Sequence, residues 1–152
     1  MLQVKNIEKY YGSKNHVTKA LDRVSFDVKK GEFIAIMGAS GSGKTTLLNC
    51  ISTIDTVSAG SIVLEGTEVS ELADNELARF RRERLGFVFQ DFNLLDTLTL
   101  EENIGLALTL NHSDSRTVQK QVLEVSERLG ITDVLGKFPY QVSGGQKQRA
   151  AC

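Results

Sequence analysis

The stretch that decides the fold is FIAIMGASGSGKTTLLNCIS, residues 33–52. Its first five residues, 33–37, are all apolar, which favours a central β-strand covered on both faces. A glycine-rich loop follows, and the residues from Lys44 to Ser52 are typical of a helix. A strand, a glycine-rich loop and a helix in this order predict an α/β fold with a phosphate-binding loop at the junction.

The loop itself, residues 38–45, has the spacing G-x-x-x-x-G-K-[ST]. Glycines allow the backbone to turn so that its N–H groups point inward, and the following helix adds the positive end of its dipole. Lys44 can reach the β- and γ-phosphates of a nucleotide, and the Thr45 hydroxyl can ligate Mg²⁺. We therefore predict that the nucleotide is bound by Gly38, Ser40, Gly41, Ser42, Gly43, Lys44, Thr45 and Thr46.

A second glycine-rich segment, residues 142–149, has the sequence VSGGQKQR. Ser143 stands where a helix N-cap belongs, and Gly144 and Gly145 leave the first helical N–H groups accessible. This arrangement predicts a second anion site. With the phosphate loop upstream, the segment closely resembles the signature motif of ABC-transporter ATPases, which usually begins with Leu where this chain has Val142.

The resemblance to ABC ATPases extends from residue 1 to residue 152 and implies ATP and Mg²⁺ as cofactors. It implies a head-to-tail homodimer, in which one subunit binds the γ-phosphate of the ATP held by the other. It also implies an integral-membrane permease as a partner, and therefore a cytoplasmic protein that is peripheral on the inner face of the cell membrane. The residues that the resemblance assigns to the partner's γ-phosphate are Ser143, Gly144, Gly145 and Gln146.

Two single residues also match positions of the family. Gln90 matches the glutamine that contacts both Mg²⁺ and the attacking water, so the predicted catalytic residues are Lys44 and Gln90 and the predicted metal ligands are Thr45 and Gln90. Tyr11, just before Gly12, matches the aromatic residue that stacks on adenine, with the adjacent Tyr10 as a competing candidate. Stacking tolerates any base because every base has a π-face.

Composition and patterning predict how the chain is organised. A net charge of −1 argues against binding to nucleic acid by bulk electrostatics. We expect no signal peptide and no membrane span. The predicted fold is a partial P-loop ATPase core with a mixed sheet and an inserted helical subdomain. Its core is residues 1–91, with the phosphate loop and Gln90, and its helical part is residues 92–152. Cys50 lies in an apolar helical stretch and is predicted to be a plain buried thiol.

Within the family, two branches share local sequence with this chain. Residues 80–95, FRRERLGFVFQDFNLL, resemble the macrolide-exporter and lipoprotein-release branch. Residues 51–55 and 95–99, ISTID and LDTLT, resemble the bacitracin-resistance type, whose permeases handle antimicrobial peptides. Four arginines, Arg79, Arg81, Arg82 and Arg84, either contact a permease or phospholipid or form a solvated helix face.

Complete members of the family carry three more elements after the signature helix: an apolar strand, an Asp-Glu pair that ends it, and a later histidine at the γ-phosphate. The sequence stops at Cys152, before all three, and His16 and His112 lie in the wrong places to substitute. We therefore expect strongly impaired hydrolysis, because general-base assistance is worth about 10²–10⁴-fold. Two alternatives stay open: an ATP-binding fragment without turnover, and a soluble ABC ATPase of DNA repair or translation that has no permease.

Overall fold

The computed structural model describes residues 1–13 and 16–152. The chain divides into two compact units, Met1–Leu85 and Gly86–Cys152. Among the described residues, the first unit contains four strands and two α-helices: β1 (Leu2–Ser13), β2 (His16–Val28), α1 (Lys44–Ile51), β3 (Ala59–Leu64), β4 (Thr67–Glu68) and α2 (Asp74–Arg84). The second unit contains α3 (Leu100–Leu110), α4 (Ser115–Leu129) and α5 (Gly144–Ala151).

The sheet of the first unit has the strand order β2-β1-β3-β4. Its strands β1 and β3 bring Val4, Ile7 and Ile62 into the core, where each is at most 1% exposed. Leu47 and Cys50 of α1 pack into the same cluster, so the helix that follows the phosphate loop is anchored by its apolar face. Cys50 is a free, buried cysteine, as predicted, and burial raises the pKa of its thiol.

The α/β class is confirmed, but the mixed sheet is corrected. All three strand pairings among the described residues are antiparallel. The predicted central strand at 33–37 forms neither strand nor helix, and Phe33 and Met37 are 96% and 88% exposed. A continuous apolar run is buried as a strand where it pairs with neighbouring strands in a sheet that is covered on both faces. The described part of the chain places none beside this segment, and only Ile36 packs against the core cluster.

The second unit is helical around a small core. Leu100 and Ile131 are fully buried there, and Val134 and Ala150 complete the cluster. The short apolar segment at 86–89 forms neither strand nor helix. The rings of Phe87 and Phe89 instead stack with their centroids 5.8 Å apart.

Local capping residues define the ends of two helices in the second unit. Thr99 caps α3 in a capping box: its hydroxyl accepts the N–H of Glu102 at 3.3 Å, and the Glu102 carboxylate accepts the N–H of Thr99 at 2.7 Å. Gly130 ends α4 in the left-handed conformation, with φ of 63°. Within the part of the chain that the structure describes, no helix has the length and hydropathy that a membrane crossing requires.

Candidate functional site

The glycine-rich loop between residues 38 and 44 adopts a turn that glycines make possible. Gly41 and Gly43 have φ values of 78° and 87°, which only glycine adopts without strain. The Ser42 N–H donates to the Ala39 carbonyl oxygen at 3.2 Å, and Gly43 is the N-cap of α1. A Cβ atom at Gly43 would lie 2.5 Å from the Ala20 carbonyl oxygen, so β2 and the loop approach each other too closely for a side chain at this position.

Lys44 closes this loop with its side chain. The ammonium donates to the carbonyl oxygens of Gly38 at 2.8 Å and Ala39 at 2.7 Å. It is therefore held across the start of the loop, at the first residue of α1. A phosphate oxygen carries more negative charge than a carbonyl oxygen and is the stronger acceptor for this group. Lys44 is thus placed to exchange loop carbonyls for phosphate oxygens.

The first turn of α1 is open to an anion. Among the described residues, no side chain caps this helix, so its first N–H groups keep their donor capacity. Thr45 is exposed and Thr46 half-buried at the same end. Donors that lack intrahelical partners, together with the helix dipole, make such a terminus suited to phosphate. The geometry therefore fits the phosphate-binding role that the sequence predicts for residues 38–46.

A cavity of about 290 Å³ lies against the loop. Ser40 to Thr46 form one side, and Thr18, Lys19 and Ala20 of β2 form the other. Sequence reasoning did not identify these β2 residues as part of the site, because no motif links them to the loop. The pairing of β1 with β2 could have indicated them, since it places Thr18 opposite Tyr11, which the sequence already assigns to the nucleotide.

The Tyr11 hydroxyl group is held by Asp55, in the segment that follows α1. The hydroxyl donates to Asp55 Oδ2 at 2.6 Å. The pKa of Tyr11 is raised, chiefly by this hydrogen bond and by burial, while a hydrogen bond with Thr46 opposes the shift. Tyr10 is engaged elsewhere: its hydroxyl donates to Glu8, and Lys19 lies 5.4 Å from its ring centroid. These contacts favour Tyr11 over Tyr10 as the stacking residue, and that role stays a prediction.

The predicted second anion site lies at the start of α5 in the second unit. The Ser143 hydroxyl accepts the N–H of Gln146 at 3.3 Å, and the Gln146 side-chain oxygen accepts the N–H of Ser143 at 3.0 Å. Because a hydroxyl has one donor and two acceptor sites, Ser143 can still donate to an anion. Gly144 and Gly145 are exposed beside it. The helix start is therefore capped by its own side chains, and its glycine backbone is still accessible to a ligand. The anion that would bind there stays a prediction.

The remaining predicted ligand, Gln90, lies in the second unit. It is exposed and belongs to a segment that forms neither strand nor helix. Its predicted contact with Mg²⁺ and water stays a prediction. Across the described residues, no group of three or more His, Cys, Asp or Glu side chains is arranged to hold a metal ion. Within the first unit, a cation bound at the loop can take ligands from Thr45, from a bound phosphate and from water.

Three of the four arginines near α2 have partners within the first unit. Arg81 donates to the Thr53 carbonyl oxygen at 2.6 Å. Arg79 pairs with Glu83 at 2.8 Å, and Arg84 lies 3.6 Å from Glu65. These contacts favour the interpretation as a solvated helix face over that of a dedicated lipid or permease contact.

Comparison with known proteins places this geometry in a family. The family model described as ABC transporter matches residues 21–152. The chain is 49% identical over 151 residues to the bacitracin export ATP-binding protein BceA of Halalkalibacterium halodurans, covering 99% of this chain and 60% of that protein. It is 52% identical over 152 residues to the ABC transporter ATP-binding protein YxdL of Bacillus subtilis, covering 99% and 58%. The chain thus spans about 60% of the length of these curated relatives.

Solved structures agree with the sequence relatives. The dimeric structure of a post-hydrolysis state of the ATP-binding cassette MJ0796, bound to ADP and Pi, matches with a TM-score of 0.92 and 37% identity. The match covers 99% of this chain and 67% of that one. The family model includes both the phosphate loop and the capped start of α5. The chain therefore belongs to the ABC transporter family.

Proposed function

We propose that this chain is the ATP-binding part of an ABC-transporter ATPase and that residues 38–46 bind the triphosphate of Mg-ATP. The observation that carries the proposal is the uncapped start of α1, with the Lys44 ammonium held across the loop by two backbone carbonyls. Helix amides and an ammonium group at one point give both the charge and the donors that a triphosphate needs.

Each loop residue has a distinct task in this proposal. The backbone N–H groups from Gly41 to Thr46 donate to β- and γ-phosphate oxygens, and Lys44 offsets the charge that builds up on the transferred phosphoryl group. Mg²⁺, held by the Thr45 hydroxyl together with phosphate oxygens and water, would neutralise further phosphate charge. Tyr11 stacks on the adenine ring, so that ATP binds more tightly than a triphosphate without a base.

The predicted second anion site supports a second copy of this chain as a partner. In a head-to-tail homodimer, Ser143, Gly144, Gly145 and Gln146 would bind the γ-phosphate of the ATP that is held by the partner subunit. The dimeric cassette structures that this chain resembles support such an assembly. ATP then joins the two subunits, and its hydrolysis separates them.

The transport role rests on the relatives. Their names describe a bacitracin export ATP-binding protein and, at 37% identity, a macrolide export ATP-binding/permease protein of Neisseria meningitidis. The name of the macrolide exporter supports an integral-membrane permease as the partner, and the name of the bacitracin exporter supports antimicrobial peptides as the transported class. Binding to such a permease would hold the chain at the inner face of the membrane. A soluble ABC ATPase without a permease is the less supported interpretation, because BceA, YxdL and the macrolide exporter are all named for export or as transporters.

One observation favours a second candidate function, ATP binding with little turnover. Among the described residues that line the loop cavity, none is a carboxylate that could polarise an attacking water. The loop would then bind and hold the nucleotide, and hydrolysis would depend on groups that other parts of the assembly supply. The two candidates differ in phosphate release and agree in nucleotide binding.

The test is titration calorimetry of the 152-residue chain with Mg-ATP, paired with a phosphate-release assay. Lys44→Ala should weaken binding at least tenfold, because a hydrogen-bonded charge on phosphate contributes about 1.5–3 kcal/mol. Lys30→Ala, which removes an equal charge from an exposed turn, should leave binding unchanged. Equal Mg-ATP affinity for the wild type and Lys44→Ala would overturn the proposal. Binding without phosphate release would select the second candidate.

A further inference from the structure

A partly buried ion pair joins β1 to the segment that follows α1, outside the phosphate loop. The Lys9 ammonium donates to Asp55 Oδ1 at 2.5 Å and to the Thr56 carbonyl oxygen at 2.6 Å. Lys9 is only 8% exposed, which is rare for lysine unless it is paired. Irregularities in the β1–β2 register lie on both sides of it, and such bulges redirect a side chain.

Asp55 uses both carboxylate oxygens within this cluster. Oδ1 accepts from Lys9 and from the Thr56 N–H at 2.8 Å, while Oδ2 accepts from the Tyr11 hydroxyl at 2.6 Å. The backbone N–H of Asp55 in turn donates to the Asn49 carbonyl oxygen at 3.1 Å, in the last turn of α1. The Tyr11 hydroxyl is therefore tied to the same helix whose first turn forms the phosphate loop.

Lys9 also acts on the ring of Tyr11. Its ammonium lies over the ring, 5.0 Å from the centroid, within range of a cation–π contact. Tyr11 is nevertheless 42% exposed. With one face of the ring covered by the ammonium, a nucleobase has the opposite face on which to stack. The ring is thus held at its hydroxyl and on one face before any ligand arrives.

We propose that Lys9 and Asp55 are positioning residues that fix the Tyr11 ring for stacking on the nucleobase. The proposal rests on the nucleotide-binding function proposed above and adds how the base is recognised. A ring that is already immobilised loses no rotamer freedom when the base binds, so more of the stacking energy appears as affinity. No such benefit is expected for a ligand that has phosphates and no base.

The test compares two probes, Mg-ATP and magnesium tripolyphosphate, by calorimetry on the 152-residue chain. Tyr11→Phe keeps the ring and removes its bond to Asp55; Asp55→Asn and Lys9→Met break the ion pair. Each is expected to weaken Mg-ATP binding about 2- to 10-fold and leave tripolyphosphate binding unchanged. Tyr10→Phe, which removes the neighbouring hydroxyl bonded to Glu8, is the matched control and should change neither affinity.

Three outcomes separate this inference from the function beneath it. If Tyr11→Ala weakens Mg-ATP binding while Tyr11→Phe and Asp55→Asn bind like the wild type, stacking stands and positioning by Lys9 and Asp55 is overturned. If Tyr11→Phe, which keeps the packing of the ring, weakens both probes equally, the contact is only structural and the inference is also overturned. If neither probe binds the wild type, the proposed function itself fails.

Discussion

Gly43→Ala should both destabilise the chain and abolish tight nucleotide binding, for two reasons that controls can separate. The first is conformational: an alanine forced to φ of 87° costs about 1–2 kcal/mol. The second is steric, because its Cβ would meet the Ala20 carbonyl oxygen at 2.5 Å and Leu21 Cδ2 at 3.2 Å. Forcing a methyl group into packed surroundings costs about 1–3 kcal/mol more, for a total of about 2–5 kcal/mol.

Two other glycines isolate the conformational part. Gly41 and Gly31 have φ values of 78° and 87°, but a Cβ on either would meet nothing within 4 Å. Gly41→Ala and Gly31→Ala should therefore lower the free energy of unfolding by about 1–2 kcal/mol only. Urea denaturation of the three variants measures the difference. If Gly43→Ala unfolds within about 0.5 kcal/mol of Gly31→Ala, the close approach of β2 to the loop is refuted.

Nucleotide binding gives the second readout of Gly43→Ala. To relieve the contact between the new Cβ and the Ala20 carbonyl oxygen, the loop must move away from β2. This movement displaces the loop amides that face the phosphates. We expect Mg-ATP binding to weaken at least tenfold, while Gly31→Ala, which lies outside the loop, binds like the wild type. Unchanged affinity in Gly43→Ala would show that the amides of this loop do not hold the phosphates.

Three further predictions concern other parts of the molecule. The pKa of Asp55 is lowered: burial would raise it, but hydrogen bonds from Lys9, Tyr11 and the Thr56 N–H outweigh burial. As the pH falls, Asp55 is therefore protonated in the unfolded chain before it is protonated in the folded chain. The stability that the carboxylate contributes is full above about pH 4 and is lost as the pH falls through the lower folded pKa. In urea unfolding, the stability gap between the wild type and Asp55→Asn should close below about pH 4, and a gap that widens would contradict this sign. Leu100→Ala, at a fully buried site, should cost about 2–5 kcal/mol. Leu110→Ala, at a site 58% exposed, should cost far less, and equal losses would refute the second core. Ser143→Ala and Thr99→Ala each remove an N-cap and should cost about 0.5–2 kcal/mol. Only Ser143→Ala should also weaken ATP-dependent dimerisation, measured by analytical ultracentrifugation. Equal weakening of dimerisation by the two variants would refute the second anion site.

Features of the fold that depend on local chemistry could be predicted from the sequence. The start of α1 at Lys44 follows from the glycine loop, and the start of α3 follows from the hydroxyl and carboxylate of its capping box. The end of α4 at Gly130 follows from a residue that tolerates a positive φ. Each of these signals acts within a few residues, so no knowledge of the rest of the chain is needed.

Features that depend on distant partners could not be predicted. The run at 33–37 has the composition of a central strand, but composition does not supply the neighbouring strands that such a segment requires. Lysine is usually exposed at the surface. The burial of Lys9 depends on Asp55, which lies 46 residues away in sequence. The cavity wall formed by Thr18 to Ala20 likewise requires the β1–β2 register, which the sequence does not state.

The most direct test of the central claim is a titration of the ¹⁵N-labelled chain with Mg-ATP, followed by amide chemical shifts in NMR spectra. If the triphosphate is bound by the loop, the largest shift changes fall on the amides of residues 38–46, and in Lys44→Ala they reach half of their full size only at a Mg-ATP concentration at least tenfold higher. Saturating Mg-ATP that leaves these amides unmoved in the wild type, or a midpoint that is the same in Lys44→Ala, would contradict the account.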